Sequence, residues 1–481
     1  ALTRVQRLFR GGATTDAGRD ATMALRDLWL LRPALSAADR ARADRYLARP
    51  TDGGGDPLGD GYTVAEATPV CGTDVCIHYV TSTDDAVPPA DGPDVGTVPD
   101  YVDFALATME HVHQTYVGAG YRAPKPDGTK GDNSKTDIYL ADVGADSLYG
   151  YCTSDDETPL PSGDYDVWAY CVLDNDYSPA EFPTNTPEEN FEVTAAHEYY
   201  HAVQAGYDWA EDAWFMEATA TWAEDEVYDA VDDNVQYLPA GQLGDPHSPL
   251  DVFYGSIHYG NWVFFRYLTE RFPQQAGGLP VLVRTMWRKA DSDGSAPDMY
   301  STQAIAAALR PKKVSFTQAF AQFSAVNRFS RKFYEEGRAN AYPQAPIEGT
   351  TVISKAHRSD SVSGRLTYQL TSVALQAKPR KLTGTWKLQV SADMAPARRG
   401  PAVVVDQVRR NGTHAFHLVR LNRKGVGSVK VPFTNAKTAR VVITLVSGGI
   451  HYSCWVSSPF ACSGDPKDDN LPVKMSVRLT R

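Results

Sequence analysis

The composition of the chain changes abruptly near Thr350, and this change limits the folds that the chain can adopt. Residues 351–481 contain 21 Lys and Arg against six Asp and no Glu, whereas residues 1–350 contain 26 basic and 53 acidic residues. The basic part alternates Val, Leu, Thr and Lys between Gly, Asn and Pro turns, which is typical of a β-sandwich. A length of 481 residues leaves room for two or three domains, so the break indicates separate modules.

The sequence before the break divides further. Residues 1–50 are rich in Ala, Leu and Arg at helical spacing, and Asp52–Pro57 contains three consecutive glycines, as linkers often do. Residues 61–176 mix strand and helix patterns, and residues 190–335 are mainly helical by spacing. We therefore predict an α+β protein with a helical N-terminal segment (1–58), a central mixed domain (59–347) and a basic β-sandwich (348–481).

Six cysteines fall into three pairs that are close in sequence. Short loops cost the least entropy to close, so the expected disulfides are Cys71–Cys76, Cys152–Cys171 and Cys454–Cys462. Metal chelation is the alternative for the first pair. Three disulfides indicate a secreted protein, and the N-terminal Ala-Leu-Thr-Arg fits a mature end from which a signal peptide was removed. No apolar run approaches the ~20 residues that span a bilayer.

The charge distribution restricts the partners of the chain. A net charge of −12 and the lack of a nucleic-acid motif argue against a nucleic-acid binder. The basic strands after residue 350 could contact an anionic surface, an anionic polymer or the substrate. A solvated sandwich without such a partner is the alternative.

His197, Glu198 and His201 form a His-Glu-x-x-His run. Neither Gly nor Pro interrupts Glu192–Ala205, and apolar residues recur every three or four positions, which predicts a helix. Positions i and i+4 share one helix face, so both imidazoles can reach one ion, and the intervening Glu is then placed to act as a general base of a zinc peptidase. The alternative is a surface helix with two solvated histidines.

A third zinc ligand is expected downstream, because catalytic zinc has three protein ligands and one open position. Glu217 follows His201 after fifteen residues and stands between Trp-Phe-Met and a run of small residues. A carboxylate in such apolar surroundings is costly unless it is paired or metal-bound. We predict Glu217 as the third ligand, with a buried ion-pair partner as the alternative.

These motifs resemble those of the gluzincin metallopeptidases. The run Trp214–Glu224 is similar to the aminopeptidase N branch, and Val98–Val102 and Thr136–Asp142 resemble secreted metalloprotease sequences of actinobacteria and myxobacteria. The resemblance implies a zincin-like catalytic domain, a zinc ion and peptide hydrolysis. Thr221 stands where thermolysin-like enzymes carry an Asp, so Glu224 is expected to orient a histidine ligand through its other ring nitrogen.

The resemblance also implies roles beyond the metal ligands. Glu198 is the expected general base, and an oxyanion donor is required in addition. Tyr259 opens a helix as a Tyr does in aminopeptidase N relatives; Tyr254 and His258 are alternatives, and so is an aromatic cluster that only packs this helix. The strand Asp166–Leu173 is a hypothetical edge strand to which a peptide could add.

Acidic residues offer a second kind of metal site. Asp132, Asp137, Asp142 and Asp146, or the acidic turn 174–176, could bind calcium through oxygen ligands. No EF-hand pattern is present, and solvated loop acids are the alternative.

Together these features predict a secreted zinc peptidase, with endopeptidase activity favoured. An aminopeptidase is the alternative within the same class, but the Gly-x-Met-Glu-Asn substrate motif of that branch is not recognisable. A non-catalytic extracellular binding protein that acts through the basic β-sandwich is the alternative from another class. Intact Glu198 favours a working enzyme.

Overall fold

The computed structural model describes residues 1–8, 21–53, 59–89, 98–157, 163–294 and 297–481. Numbered in chain order, the helices are α1 Leu2–Leu8, α2 Ala21–Leu31, α3 Ala37–Tyr46, α4 Asp100–Gly118, α5 Pro187–Ala205, α6 Ala213–Val227, α7 Ile257–Gly260, α8 Trp262–Arg271, α9 Val281–Trp287, α10 Ser301–Leu309, α11 Phe316–Val326 and α12 Ser330–Phe333. Among the described residues, no helix combines the length and the apolar character needed to cross a membrane.

The strands are β1 Val70–Cys71, β2 Val75–His78, β3 Thr136–Ala141, β4 Gly150–Thr153, β5 Tyr170–Asp174, β6 Gln275–Ala276, β7 Leu279–Pro280, β8 Gly349–Ile353, β9 Ser359–Leu366, β10 Thr371–Pro379, β11 Lys387–Met394, β12 Pro401–Arg409, β13 His414–Leu418, β14 Val426–Pro432, β15 Thr438–Ser447, β16 Tyr452–Ser453, β17 Asp465–Pro466 and β18 Leu471–Thr480. Helices and several sheets therefore share the chain, and the C-terminal part is rich in strands, as the sequence predicts.

The chain forms two compact units. The first contains Ala1–Asn234 and Phe272–Met299, and the second contains Val235–Arg271 and Tyr300–Arg481. The domain boundaries that we predicted after residues 58 and 347 were drawn from changes in composition. They stay predictions of which parts of the chain fold independently. The predicted linker Asp52–Pro57 lies mostly outside the described residues.

A five-stranded mixed sheet forms the centre of the first unit. Its order is β1-β2-β3-β5-β4; β2, β3 and β5 are parallel, whereas β1 and β4 are antiparallel to their neighbours. The strand β5, which contains the second half of the predicted edge strand Asp166–Leu173, is therefore enclosed by β3 and β4. That hypothesis is wrong, because β4 pairs beyond β5 and forms the edge itself.

The N-terminal helices belong to the core of the first unit. Ala24, Leu25 and Leu28 of α2 are buried in one cluster with Tyr151 of β4 and Tyr170 of β5. The apolar face of α2 therefore covers the sheet at the edge strand, and the predicted helical character of this segment is present in the described residues.

All three expected disulfides are present. Cys71–Cys76 joins paired residues of β1 and β2, and Cys152–Cys171 joins paired residues of β4 and β5. Cys454–Cys462 closes a short loop in the second unit. No free cysteine exists, so metal chelation by the first pair is excluded in this structure.

Two sheets in the second unit share one hydrophobic cluster, as the sheets of a β-sandwich do. Their orders are β13-β12-β15-β10-β8 and β14-β11-β18-β9. The cluster combines Val403 and Val405 of the first sheet with Leu388, Val390 and Val477 of the second. The alternation of inward apolar and outward polar residues along β18 produces the pattern that the sequence shows.

A buried arginine ties the N-terminal segment to the sheet. The guanidinium of Arg49 donates to Asp127 at 2.6 Å, to Asp155 at 3.0 Å and also to Asp137 of β3. Breaking such a buried set by removing one partner costs about 3–5 kcal/mol, since it leaves an unpaired charge. Arg49 thus fixes the downstream end of the N-terminal segment on the first unit.

His78 of β2 extends this set of charges. Its Nδ1 lies 2.9 Å from Glu66 and its Nε2 lies 3.1 Å from Asp137. Burial by itself lowers the pKa of His78, but hydrogen bonds to Asp137 and Glu66 outweigh it and raise the pKa to about 9. His78 is therefore a cation in the folded protein at neutral pH.

The raised pKa predicts a pH-dependent contribution to stability. The contribution is complete below the ordinary histidine pKa of ~6.5 and is lost as the pH rises through about 9. We expect His78→Asn to lower the free energy of unfolding by on the order of 3 kcal/mol more near pH 6 than near pH 9.5. Urea unfolding of both proteins at these two pH values measures the difference, and an equal loss at both would contradict the prediction.

Candidate metal centre

The helix α5 presents the His-Glu-x-x-His run. It begins at Pro187 because Thr186 closes a capping box: the Thr186 side chain accepts from the Glu189 amide at 3.2 Å, and the Glu189 carboxylate accepts from the Thr186 amide at 2.9 Å. From Phe191 to Ala205 almost every residue is buried. The predicted helix is therefore present, and its histidines lie inside the protein rather than on a solvated surface.

His197 and His201 lie one turn apart on α5. Their ring centroids are 4.9 Å apart, and the rings are inclined by 74°. His197 is 8% exposed and His201 is fully buried. The interpretation of this run as two solvated histidines is wrong, because the helix is enclosed by its neighbours in the first unit.

Glu217 approaches both histidines from α6. Its Oε2 lies 3.2 Å from His197 Nε2 and 3.6 Å from His201 Nε2, and the residue has no exposed surface. One nitrogen or oxygen atom of each residue lies within 4.8 Å of the others. The structure thus brings together the three residues that the sequence predicts as ligands.

Each imidazole is held through its other nitrogen. His197 Nδ1 lies 2.5 Å from Glu224 Oε1. This is the contact with a histidine ligand that we expected of Glu224. His201 Nδ1 donates to Gln204 Oε1 at 2.7 Å. These contacts place the proton on Nδ1 of each ring and leave both Nε2 lone pairs directed towards Glu217.

Gln204 is a further residue of the site that was not predicted from the sequence. Its side-chain amide donates to the Met216 carbonyl at 2.9 Å and to Thr219 Oγ1 at 3.2 Å, so it also joins α5 to α6. The signal in the sequence was its spacing: Gln204 stands three residues after His201, and positions i and i+3 are neighbours on a helix.

The three residues fit a zinc ion. Ligand atoms about 2.0–2.1 Å from a tetrahedral centre lie about 3.3 Å from one another, close to the observed separations of 3.2 and 3.6 Å. His201 Nε2 and Glu217 Oε1 are buried and have no hydrogen-bond partner among the described residues. Buried polar atoms in native proteins nearly always have partners, so these two point to a bound cation.

The two carboxylates next to the histidines have opposite pKa shifts. Burial by itself raises the pKa of Glu217, but the imidazoles of His201 and His197 lower it below its ordinary range. Burial raises the pKa of Glu198, and the same imidazoles offset this only in part. Glu217 is therefore suited to remain an anionic ligand, and Glu198 to exchange a proton.

Glu198 lies beside the ligands and is 6% exposed. Its Oε2 accepts a hydrogen bond from the hydroxyl of Thr22 on α2 at 3.0 Å. The same hydroxyl accepts from the backbone amide of Cys152 on β4 at 2.9 Å. Thr22 was not singled out from the sequence, because 176 residues separate it from Glu198.

The candidates for an oxyanion donor lie in the second unit. Tyr259 and His258 are buried in α7, where their rings lie 4.4 Å apart, and the Tyr259 ring lies 5.2 Å from that of Tyr237. Tyr254 is 73% exposed. The role of Tyr259 stays a prediction, because the candidate ligands belong to the other unit.

The predicted calcium ligands separate into different environments. Asp137 is engaged by Arg49 and His78, so its prediction as a calcium ligand is wrong. Oxygens of Asp142, Asp174 and Glu181 lie within 4.8 Å of one another, and neither Asp132 nor Asp146 is in this group. Both Asp174 oxygens already accept from backbone amides, the nearest at 2.6 and 2.7 Å.

Comparison with known proteins does not assign this chain to a family. The sequence matches no protein-family model and no curated protein. One similar solved structure is the pre-peptidase C-terminal domain of collagenase from Bacillus anthracis, with 9% identity, 28% of this chain and 97% of that chain covered, and a TM-score of 0.17. Another is CorA, a surface-associated copper-binding protein of Methylomicrobium album BG8, with 14% identity, 28% and 98% covered, and a TM-score of 0.16. Scores this low show no shared fold.

The geometry predicts one tightly bound zinc ion that depends on Glu217. Glu217→Gln keeps the size of the side chain but removes the anionic donor, so we expect zinc affinity to fall by more than about 100-fold. The matched control is Glu188→Gln, at an exposed position in the first turn of α5, which should retain wild-type affinity. Competition with a chelator of known affinity measures all three proteins, and equal zinc affinity in the Glu217 variant would exclude it as a ligand.

Proposed function

We propose that the first unit is a zincin-like, gluzincin-type peptidase and that the chain is a secreted zinc-dependent endopeptidase. The observation that carries the proposal is the cluster of His197, His201 and Glu217, with separations that suit zinc and with Glu198 beside it. Three disulfides support an extracellular location.

The arrangement of elements supports a zincin-like fold. The motif helix α5 packs against a mixed sheet that ends in the antiparallel edge strand β4, and α6 supplies the third ligand. The backbone of Glu198 lies directly beside β4, since the Cys152 sulfur is 2.9 Å from the Glu198 carbonyl oxygen. A peptide that adds to β4 would therefore lie next to the proposed general base.

The chain's own residues divide the work of hydrolysis. A zinc ion at the three ligands would supply Lewis acidity to the scissile carbonyl and to the attacking water. Glu198 would accept the proton of that water and deliver it to the leaving amine. Glu224 and Gln204 would hold the two imidazoles in one tautomer and orientation throughout. Tyr259 stays our candidate donor to the negative charge on the substrate oxygen.

The general base offers the sharpest test of this proposal. Glu198→Gln should retain zinc but lower the rate of casein hydrolysis by at least about 100-fold, because the water loses its proton acceptor. The control Glu188→Gln should leave zinc binding and the rate of casein hydrolysis unchanged. Removal of zinc by a chelator should abolish hydrolysis, and added zinc should restore it.

Peptides with blocked and with free amino termini separate the two kinds of peptidase in the same assay. Cleavage of both supports an endopeptidase, whereas cleavage of free-amine peptides alone would favour an aminopeptidase. Undiminished hydrolysis by Glu198→Gln would overturn the mechanism.

A specific observation also favours contact between the second unit and an anionic polymer. The register of β14, β11 and β18 aligns Lys430, Gln389 and Arg478 in one row across the outer face of a sheet. Lys387 and Lys474 are exposed on the same face, and Asp393 is the acidic residue that the three strands place there.

These four cations form no ion pair with any residue in the described part of the chain. Neighbouring strands lie about 4.8 Å apart, so Lys430 and Arg478 stand about 10 Å apart across Gln389. We propose that this cationic face binds an anionic polymer and so holds the peptidase on it. The same observation supports our second candidate function, a non-catalytic extracellular binding protein that acts through this face.

The cationic face predicts salt-dependent binding to heparin as a probe polymer. A basic residue near an anionic surface contributes about 1 kcal/mol, so Lys430→Gln with Arg478→Gln should weaken binding by roughly 30-fold at low salt. Lys355→Gln with Lys381→Gln removes the same charge from exposed turns of the same unit and is the matched control. Equal weakening by both pairs, measured by titration at several salt concentrations, would show that net charge rather than this face matters.

A further inference from the structure

The helix α2 contacts α5 and β4 at the place that a substrate would need. The hydroxyl of Thr22 donates to Glu198 Oε2 and accepts from the Cys152 amide of the edge strand. Thr22 is 2% exposed. One side chain of α2 thus engages both the proposed general base and a backbone amide of β4.

Two further side chains of α2 donate hydrogen bonds to backbone carbonyls, one just before α6 and one just after β4. Arg26 donates through Nη1 to the carbonyl of Glu211, just before α6, at 2.7 Å. Trp29 donates through Nε1 to the carbonyl of Asp156, just after β4, at 2.9 Å. Polar contacts of α2 therefore reach from the segment that precedes the third ligand to the end of the edge strand.

A helix that only protected the edge strand would need an acceptor for the Cys152 amide, but it would not need a donor to Glu198. Thr22 stands among Ala21, Met23, Ala24 and Leu25, all of them fully buried. Burying a hydroxyl is costly unless it is hydrogen-bonded, and both partners of Thr22 belong to the proposed catalytic groove. The contact is therefore specific to that groove.

We propose that α2 is a built-in inhibitor that occupies the peptide-binding groove between β4 and α5 and has to move aside before a polypeptide substrate can reach Glu198. The inference rests on the proposed function of this site. In the structure Thr22 already occupies one acceptor position of Glu198 Oε2, and the Cys152 amide is not available to a substrate carbonyl.

The anchors of the N-terminal segment show how α2 would move. Arg49, downstream of α3, is held by Asp127, Asp137 and Asp155, and these contacts do not involve α2. A displaced α2 would therefore remain tethered to the first unit. Latency would be a reversible equilibrium between a covered and an uncovered groove, and a substrate would shift it by binding only the uncovered form.

Hydrogen exchange of the wild-type, zinc-loaded full chain tests the movement directly. The probe is a peptide hydroxamate, whose hydroxamate group binds zinc and whose peptide part can pair with β4. We expect its binding to accelerate amide exchange in α2 and to leave exchange in α4 unchanged. Hydroxamate binding with no acceleration, or with slower exchange in α2, would overturn the inference.

Two substitutions loosen α2 at different points. Thr22→Val retains the shape of the side chain and removes both hydrogen bonds, and Arg26→Gln removes the contact with Glu211 without touching Glu198. Each should raise kcat/KM for casein and hydroxamate affinity by at least about 10-fold, because each removes at least one buried hydrogen bond that holds α2 in place. Leu31→Ser, at the exposed end of α2, is the matched control and should change neither.

The outcomes separate the two proposals. Activity and hydroxamate affinity that stay at the wild-type level in both loosened variants, with thermal unfolding unchanged, overturn inhibition by α2 and leave the peptidase intact. Absence of both hydrolysis and hydroxamate binding in all zinc-loaded proteins overturns the proposed function, and the inference with it. Acceleration of α2 exchange by the hydroxamate supports the inference even if both variants fold poorly.

Discussion

The packing of α5 against α6 in the first unit depends on the buried carboxylate of Glu217. Glu217 has no exposed surface, and an isolated ion at such a place costs several kcal/mol. A cation held between Glu217 and the Nε2 atoms of His197 and His201 would compensate this charge, which requires α5 and α6 to pack in one register. Glu224 and Gln204 extend the same constraint, because each holds one imidazole and thereby fixes where its free lone pair points.

This constraint explains why the site is at once well ordered and closed. A preorganised cluster needs helices that pack tightly around it, and the same packing leaves Glu198 nearly inaccessible. The edge strand β4 would be open to pairing, but α2 covers it with an apolar face and a single hydroxyl. The proposed peptidase activity would therefore require a movable element, and α2 is the element whose polar contacts converge on Glu198 and β4.

Much of the local structure could be predicted from the sequence. Uninterrupted apolar spacing predicts α5 with the His-Glu-x-x-His run, and short cysteine separations predict all three disulfides. The pairing of the strands could not be predicted. The sequence shows that residues 166–173 favour a strand, but not that β4 pairs with β5 and forms the edge of the sheet. Asp137 was misassigned to calcium for the same reason: its partner Arg49 is 88 residues away.

The sequence by itself determined the chemistry available to this protein. Ligand spacing of i and i+4 is a property of any α-helix, and an even set of closely spaced cysteines limits its own pairings. Only the tertiary structure decided that Glu217 meets both imidazoles, that Gln204 and Glu224 orient them, and that Thr22 rests on Glu198. The physical reason is that Glu217, Glu224 and Thr22 reach the histidines and Glu198 from other helices, so their distances depend on how the helices pack. Gln204 shares α5 with His201, but its role also depends on α6, to which its amide donates.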